Sequence, residues 1–552
     1  MGKRSYDETD VLVIGSGPGG AGVTKKLAAA GMRVVCLEQG PWITPAEHPH
    51  YHKEWEIEKQ RGWAYDPNVR KLPEDYPVTG VTTPYMMNNV GGSTMHYAGH
   101  WPRYKPIDFR KGTEHGLEGT IDWPITYEDL SPFYDENDAV YGISGMVGDP
   151  SYPDRSGAER DPPVHPGKLG NRFARASKEL GWHWWPSDNA IITKARNGRQ
   201  ADVACGNDLS GSPTGSLGTP TVTHWPQAIK DGAELRTNAR VETINAENGK
   251  VTGATYIDRD TGERHEVRAK IVVLAANGIG SPRMLLLSAQ NGHPDGLANS
   301  NGVVGKYLMH HIFAFCDSWF DEPIEGYKGA FGAPLYSHEF YHTDTDRGFV
   351  NGFGMQVARS FGSAYAAMGT HTGHIAPWGS DHRKFFNEHF ANHLLVFMFG
   401  EDLPVETNCV TLDPDVTDSS GLPAPHVVWE PHDNDIALSN YGIDRIFDAT
   451  GAVGAIETND TGVINPPPGW HLMGTCRMGN NPEDSVTNKY NQTWDIPNLF
   501  IVDGSSLTTG GAVNPTSTIG ALAVRCGEYI KRRYDDIVSQ KTTPRNGDAP
   551  DF

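Results

Sequence analysis

The chain contains the stretch Asp10-Val-Leu-Val-Ile-Gly15-Ser-Gly17-Pro-Gly-Gly20, in which an apolar run enters a Gly-x-Gly-x-x-Gly turn. A near-continuous apolar run is typical of a strand that is buried on both faces of a sheet. Residues 21–31 then follow a helical pattern that ends at a glycine, and a second apolar run over residues 33–37 ends at Glu38. The order strand, helix, strand predicts a parallel sheet and therefore an α/β fold.

The glycine turn and the acidic residue beyond it predict a dinucleotide site. Gly15 allows the tight turn, Gly17 allows a pyrophosphate to approach the backbone, and Gly20 allows the helix to pack on the strand. The first turn of the helix offers N–H groups and a positive dipole to phosphates. Glu38 ends the second strand, where its carboxylate can accept hydrogen bonds from ribose hydroxyls. The motif by itself does not distinguish NAD from FAD.

Two later segments have the pattern of strands from the same sheet. Residues 270–276 form an apolar run that enters Asn277-Gly-Ile-Gly280-Ser-Pro282, and residues 499–502 form another that enters Asp503-Gly504. A helix is predicted over Thr518–Arg533. The separated pieces predict a discontinuous nucleotide-binding domain, formed by residues 1–45, 215–315 and 465–535. The remaining parts are expected to be a second domain, residues 46–214 and 316–464, and a disordered tail, residues 536–552.

Composition narrows the classes of partner. The formal net charge of −21 disfavours nucleic acid and anionic membranes, because both would repel such a surface. The six cysteines form no C-x-x-C pair, and His371 and His374 have no carboxylate at helical spacing, so neither a disulfide framework nor a metal site is expected. The first residues lack the apolar core of a signal peptide, and no apolar run approaches the roughly 18 residues of a membrane span. We expect a cytoplasmic protein.

Four segments taken together resemble the glucose–methanol–choline (GMC) oxidoreductases. In the family's order they are the loop over residues 87–97, the segment that begins at Asn277, the loop that contains His471, and Asp503-Gly504 with Asn514-Pro515-Thr516. The resemblance implies that the dinucleotide is FAD. It also implies a Rossmann-like, discontinuous FAD-binding domain interleaved with a substrate-binding domain, which is built on an antiparallel sheet with helices.

Within the family, one branch is the most similar. Trp123–Tyr134 and Trp225–Val241 look like the corresponding elements of bacterial pyranose oxidases, glycoside 3-oxidases, and gluconate or fructose dehydrogenases. Membrane-linked dehydrogenases of this branch carry several cysteines before the Trp-Pro element, whereas Cys205 stands alone here. This difference leaves the electron acceptor open between O2 and another redox acceptor. Residues 317–400 match no segment of the family.

The resemblance also assigns the contacts of FAD. Residues that would hold the ADP half are Gly15, Gly17, Gly20 and Glu38, with Val241 at the adenine. Residues that would lie at the ribityl chain and the flavin ring are Asp503, Gly504, Asn514, Pro515 and Thr516. A loop that would cover the ring includes Gly91, Gly92, Ser93 and His96. His96 falls where pyranose oxidases carry a histidine bonded covalently to the flavin, but related enzymes with histidine there bind FAD non-covalently, so both attachments stay open.

The resemblance implies that His471 and Asn514 are the catalytic pair. A neutral imidazole, with an ordinary pKa near 6.5, can take a hydroxyl proton while hydride leaves the carbon for the flavin. An amide can hold the substrate oxygen by a hydrogen bond but cannot act as a base at neutral pH. The sequence therefore predicts that His471 is the base and that Asn514 positions the substrate.

The family branch favours oxidation of a secondary ring hydroxyl of a sugar or glycoside. Oxidation of a non-sugar primary alcohol is the alternative, and a flavin-binding subunit without turnover is a third hypothesis. Two further expectations concern the middle of the chain. His310 and His311 are interpreted as a pair at the surface, with a place in the lining of the pocket as the alternative. The aromatic content of residues 320–395 favours an ordered segment that covers the site.

Overall fold

The computed structural model describes residues 8–44, 75–81, 84, 86–155, 159–204, 211–212, 214–330, 332–359, 363–368, 376–465 and 469–547. The strands are β1 (Glu8–Ile14), β2 (Val34–Leu37), β3 (Thr79–Gly80), β4 (Trp185–Pro186), β5 (Glu234–Arg236), β6 (Ala239–Glu247), β7 (Lys250–Asp258), β8 (Arg264–Leu274), β9 (Ile312–Trp319), β10 (Leu335–Ser337), β11 (Phe353–Ala358), β12 (His393–Gly400), β13 (Cys409–Thr417), β14 (Pro423–Val428), β15 (Glu457–Asp460) and β16 (Leu499–Ile501). The α-helices are α1 (Pro18–Ala29), α2 (Lys111–Glu114), α3 (Tyr127–Tyr141), α4 (Gly167–Leu180), α5 (Pro220–Thr223), α6 (Trp225–Lys230), α7 (Asn277–Leu287), α8 (Ser363–Met368), α9 (Ser380–His389), α10 (Asp433–Ala452) and α11 (Thr516–Ser539).

The first strand lies inside a seven-stranded sheet of order β5-β2-β1-β8-β7-β6, in which β16 also pairs with β8. Its side chains alternate between two cores: Val11 and Val13 pack on the side that holds α1 and α11, while Leu12 and Ile14 pack on the other. Because both faces are covered, the strand is apolar at every position from residue 11 to 14. The pattern that predicted a doubly covered strand is confirmed.

The long strand β8 joins distant parts of the chain. Its first half pairs antiparallel with β7, and its second half pairs parallel with β1 on one side and with β16 on the other. Burial follows the same division, because exposed positions are frequent in the first half and the last four residues are all buried. Strands from three separated stretches thus share one sheet, and the predicted α/β fold with a discontinuous Rossmann-like unit is confirmed.

A second sheet of six strands, β15-β9-β12-β11-β10-β4, is antiparallel. Three adjacent strands, β9, β12 and β11, are buried on both faces. One face packs on α10, and the opposite face presents Phe313, Phe315, Phe397 and Phe399. Strands β10 and β11 show that much of residues 320–395 is ordered, although residues 360–362 and 369–375 lie outside the described part. A short third sheet has the order β13-β14-β3.

The C-terminal expectation needs a correction. The last helix spans Thr516–Ser539, with non-helical backbone only at Arg533, where the sequence predicted its end. Residues 540–547 are then bonded to the rest of the protein: Thr543 Oγ1 donates to the Thr493 carbonyl at 2.6 Å, and Asn546 Nδ2 donates to the Gly479 carbonyl at 3.0 Å. The prediction of a disordered tail was therefore wrong for residues 536–547, because polar side chains there form hydrogen bonds with backbone groups that are far away in sequence. Residues 548–552 lie outside the described part.

Three further facts concern the described ranges. No helix there is long and apolar enough to cross a membrane. No group of three or more His, Cys, Asp or Glu side chains there could hold a metal ion, and His371 and His374 are outside those ranges. The cysteines described are free thiols, namely Cys36, Cys316, Cys409, Cys476 and Cys526.

Candidate active site

A cleft of about 1240 Å³ begins at the glycine turn after β1. Gly15 has a φ of +98°, and a Cβ there would lie 2.3 Å from the Ala275 carbonyl oxygen. A Cβ on Gly20 would lie 1.9 Å from the Gly15 carbonyl oxygen, so its absence lets α1 pack on the turn. Gly17 lines the cleft. The three glycines thus occupy the places that the dinucleotide motif predicts.

Glu38 lies at the same end of the cleft. Its carboxylate accepts hydrogen bonds from the Ser16 N–H at 3.1 Å, the Ser16 hydroxyl at 2.6 Å and the Gly40 N–H at 2.9 Å. Val241 lines the cleft nearby on β6. These bonds hold an acidic group beside the glycine turn, and its contact with a ribose stays a prediction.

The loop predicted to cover the flavin packs against the glycine turn. A Cβ on Gly92 would lie 3.4 Å from the Gly17 Cα, and Gly91 and Gly92 both have positive φ, at +93° and +58°. Gly92 and Ser93 line the cleft, and a 3-10 turn over Gly92–His96 follows. His96 is buried at the end of that turn.

Asp503, Gly504, Pro515 and Thr516 line the other side of the cleft. The Asp503 carboxylate accepts from the Asn277 N–H at 3.0 Å, the Ser281 hydroxyl at 2.5 Å and the Ser505 N–H at 2.7 Å. Burial raises the pKa of Asp503. Two of the segments that resemble the family are therefore bonded to each other here, although they are more than 200 positions apart.

The cleft fits FAD in shape and in donors. A dinucleotide needs an elongated site, and the lining of the cleft extends from the glycine turn after β1 to His471. Glycine backbone lines the end where phosphates are expected, and the first turns of two helices, at Pro18 and Thr516, face the space. Helix N-termini stabilise anions.

His471 lies at the far end of the cleft, beside Trp470 and Leu472. Two glycines from the family segments allow this loop to approach. A Cβ would lie 2.5 Å from the Leu472 carbonyl oxygen if added to Gly278, and 2.2 Å if added to Gly504. Side chains at either position would displace the loop, so these glycines help to place the imidazole.

The structure brings the predicted pair together. Asn514 Nδ2 lies 3.3 Å from His471 Nε2. The Asn514 Oδ1 accepts a hydrogen bond from Gln356 Nε2 at 2.7 Å, which turns the Asn514 amino group toward the imidazole. Gln356 was missed because β11 lies in the segment that resembles nothing in the family, and no local pattern marks it.

His310 and His311 are the main correction at the site. They were interpreted as a surface pair, but both are fully buried. His311 Nδ1 lies 2.8 Å from His471 Nδ1, and the peptide N–H groups of both residues donate to the Asp402 carboxylate, at 2.8 and 3.0 Å. Asp402 is far along the chain, so a local reading of two adjacent histidines could not find it.

Burial controls the protonation of these groups. It lowers the pKa of His471 well below the ordinary 6.5, and the imidazole of His311 adds to the shift. It also lowers the pKa of His311 to about 4 and that of His100 to about 4. The same cause raises the pKa of Asp402 to about 8. At neutral pH the three imidazoles are therefore uncharged.

The surroundings of His471 are aromatic and apolar. The ring centroids of Phe313 and Phe399 lie 5.7 and 5.5 Å from that of His471, and Phe313 contacts Trp470 at 5.5 Å. Phe315 and Phe397 continue the same face of the second sheet. A small molecule beside His471 would meet hydrocarbon on this side.

Two family models, both described as GMC oxidoreductase, match residues 86–313 and 404–523. A solved structure of a formate oxidase variant from Aspergillus oryzae superposes with a TM-score of 0.67 at 14% identity, covering 96% of this chain and 99% of the other. This likeness shows the fold.

Three curated relatives cover nearly the whole chain. The 2-methyl-1,2-propanediol dehydrogenase of Mycolicibacterium austroafricanum is 80% identical over 547 residues, with 99% of each chain covered. The 6'''-hydroxyparomomycin C oxidase of Streptomyces lividus is 30% identical, covering 94% of this chain and 91% of the relative. The fructose dehydrogenase large subunit of Gluconobacter japonicus is 28% identical, covering 94% and 97%. The chain therefore belongs to the GMC oxidoreductase family and is an FAD-dependent alcohol oxidoreductase.

Proposed function

We propose that this protein oxidises the primary hydroxyl of a small branched aliphatic diol, such as 2-methyl-1,2-propanediol, to an aldehyde. The observation that carries this proposal is the phenylalanine face beside His471, which suits methyl groups and offers few partners to a polyhydroxylated ring. The relative at 80% identity is named for that diol. Because the tertiary carbon of the diol bears no hydrogen, only its primary carbon can lose a hydride.

The phenylalanine face and the relative at 80% identity both favour the non-sugar alternative over a sugar substrate. A pyranose needs polar partners for its several hydroxyls, but the aromatic side chains of the sheet face near His471 are phenylalanines, which have no polar atoms. Gln356 and Asn514 supply amides at its edge. Two such groups can orient a diol, whereas a sugar would leave several hydroxyls against hydrocarbon, at a cost for each.

Each residue of the site has a separate role in the proposed reaction. FAD bound in the cleft would supply the acceptor for the hydride that leaves the primary carbon. His471 Nε2 takes the hydroxyl proton as this occurs, so the alcohol loses one hydride and one proton and becomes the aldehyde. Asn514 Nδ2 donates to the substrate oxygen and holds it beside the base. The glycine turn, Glu38 and Asp503 would hold the cofactor.

An anaerobic substrate panel tests the proposal with flavin absorbance as the readout. We expect a yellow protein that carries FAD and is bleached by 2-methyl-1,2-propanediol. Rapid bleaching by sugars or glycosides but not by the diol would reject it and restore the sugar hypothesis. A folded preparation that yields no flavin in either the supernatant or the pellet after denaturation would reject FAD dependence. Flavin that no alcohol reduces would favour a subunit without turnover.

The electron acceptor is proposed to be a redox carrier other than O2, since the relative at 80% identity is named a dehydrogenase. We expect turnover with an artificial dye acceptor and little peroxide in air. Peroxide formed in step with aldehyde would instead identify an oxidase. The cytoplasmic location stays a prediction that cell fractionation can test.

Attachment of FAD through His96 remains a separate question. The histidine is buried at the end of the turn that lines the cleft, which is compatible with a covalent or a non-covalent cofactor. If the bond exists, acid-precipitated protein stays yellow and His96→Ala releases the colour. Colour found wholly in the supernatant of the unaltered protein would show that the bond is absent.

A further inference from the structure

The donor and the acceptor can be assigned in each hydrogen bond of the His311 ring. Its Nε2 lies 2.6 Å from the Gly511 carbonyl oxygen and 3.1 Å from that of Gly510. A carbonyl oxygen only accepts, so Nε2 of His311 carries a proton. Because burial lowers the pKa of His311 to about 4, the ring is neutral at neutral pH and has a single N–H. Its Nδ1 is therefore an acceptor.

The protonation of His311 determines which nitrogen of His471 carries a proton. The two Nδ1 atoms lie 2.8 Å apart, and one of them must donate. Since His311 Nδ1 accepts, His471 Nδ1 carries the proton and His471 Nε2 keeps its lone pair. Asn514 independently requires the same state, because its Nδ2 group donates toward that Nε2 while Gln356 donates to its Oδ1.

We infer that His311 is a positioning residue that selects the tautomer of His471 and so leaves Nε2 as the basic atom. The inference rests on the proposed role of His471 as the base.

Hydrogen bonds to acidic side chains fix the backbone at His311 in an unusual conformation. The residue has a φ of +66°, a conformation that is unusual for a side chain larger than glycine or asparagine. Asp402 accepts its peptide N–H, and Glu401 accepts the Gly511 N–H at 3.1 Å, so adjacent carboxylates anchor the histidine and the carbonyl turn that it bonds. The two imidazole planes then cross at 86°.

His311 also limits where the substrate proton can go. When His471 Nε2 takes that proton, its Nδ1–H still donates to His311 Nδ1, and a bond from a charged donor is the stronger one. The chain of bonds ends at two carbonyl oxygens, which take no proton. His311 thus keeps its hydrogen bond to His471 after the transfer and does not pass the proton to solvent.

Two substitutions separate this role from packing. In His311→Asn, Oδ1 replaces the acceptor and asparagine tolerates positive φ. In His311→Gln, the amide can still bond the Gly510 and Gly511 carbonyls but leaves no acceptor near His471 Nδ1. His310→Gln is the matched control, because that residue is equally buried and its peptide N–H is bonded to the same Asp402.

The experiment measures anaerobic flavin reduction in each FAD-loaded variant. We expect His311→Gln to lose roughly 10²-fold in the limiting reduction rate with a smaller change in KM, while His311→Asn and His310→Gln stay within about tenfold of the unaltered protein. A His311→Gln rate equal to that of the unaltered protein, or equal losses in all three variants, would overturn the inference.

A second measurement requires neither a folded variant with a substitution at position 311 nor catalytic turnover. The ¹⁵N spectrum of the histidine-labelled holoenzyme, assigned by comparison with His471→Ala, reports which His471 nitrogen is protonated. A protonated Nδ1 supports the inference and a protonated Nε2 overturns it. This readout is separate from the proposed function, which fails if His471→Ala reduces its flavin as fast as the unaltered protein.

Discussion

The side chains at the reacting end of the cleft are neutral because they are buried. His471 is close to His100, His310 and His311, and each of these imidazoles would oppose a positive charge on it. Asn514 and Gln356 add dipoles without charge. The base is therefore available for proton transfer over a wide range of pH.

The first prediction concerns the base itself. His471→Ala is expected to keep FAD and the fold but to lose about 10²–10⁴-fold in the rate of flavin reduction, the usual contribution of a positioned acid–base group. Asn514→Ala should be milder, because it removes positioning and leaves the base. Stopped-flow absorbance measures both rates. Equal losses in the two variants would show that the division of roles is incorrect.

The second prediction is a pH profile. Only the neutral form of His471 accepts the proton, and burial lowers its pKa well below 6.5. The protonated fraction therefore grows only when the pH falls through that lowered value. We expect the rate of flavin reduction to be constant from about pH 8 down past 6.5 and to fall only in more acidic buffer. A fall centred at or above 6.5 would show that the imidazole is not shifted in this way.

At the scale of elements, the turn between β1 and α1 determines whether the cofactor cleft forms. In Gly15→Ala, the new Cβ would meet the Ala275 carbonyl at 2.3 Å and the residue would keep a positive φ. Gly31→Ala is a matched control, because Gly31 also has positive φ, at +81°, but a Cβ there meets nothing within 4 Å. The comparison separates backbone strain from close packing.

We expect Gly15→Ala to lose bound FAD and to unfold at a clearly lower temperature than the control. Strain from positive φ costs on the order of 1–3 kcal/mol and applies to both variants, whereas only Gly15→Ala also displaces Ala275, which follows β8. Flavin content per folded protein and thermal unfolding measure the effects. Equal flavin content in both variants would contradict the role given to the close contact.

At the scale of the whole molecule, the C-terminal residues connect the end of α11 to the loop before β16. Gln492 Nε2 donates to Gln540 Oε1 at 3.0 Å, and the Lys489 N–H donates to Asn546 Oδ1 at 2.8 Å. The contacts with Thr493 and Gly479 act in the same place. Removing them should destabilise the region that leads into the cofactor sheet.

A pair of truncations tests this. Ending the chain after Ser539 removes several hydrogen bonds worth about 1 kcal/mol each, so we expect the unfolding temperature to fall by a few degrees. Ending it after Gly547 leaves the described contacts in place and should change the temperature little. If both truncations unfold at the temperature of the full chain, the contacts of residues 540–547 add no stability.

The pairing of strands in the second sheet also forms the substrate side of the site. The phenylalanine face arises where β9 and β12 pair, with Phe313 opposite Phe399 and Phe315 opposite Phe397. Gln356 reaches Asn514 from β11 in the same sheet. The second sheet therefore supplies a wall of the site that the cofactor sheet does not provide.

The cofactor half of the protein was determined by the sequence alone. The roles of Gly15, Gly17 and Gly20 depend on strand, turn and helix that are consecutive in the chain, so their spacing already describes the geometry. The resemblance to the family then located His471 and Asn514, and the structure brings their side chains together. Covalent attachment at His96 and the precise domain limits stay predictions.

Only the tertiary structure decided what surrounds the base. His311 meets His471 across 160 positions, Gln356 meets Asn514 across 158, and the phenylalanines face the site because distant strands pair. Such contacts leave no periodicity or spacing in the sequence, because each partner is set by sheet pairing and not by its neighbours. For that reason the two histidines were interpreted as a surface pair, whereas the structure buries them beside the base. The phenylalanines next to the base support the proposed non-sugar substrate, which the sequence did not favour.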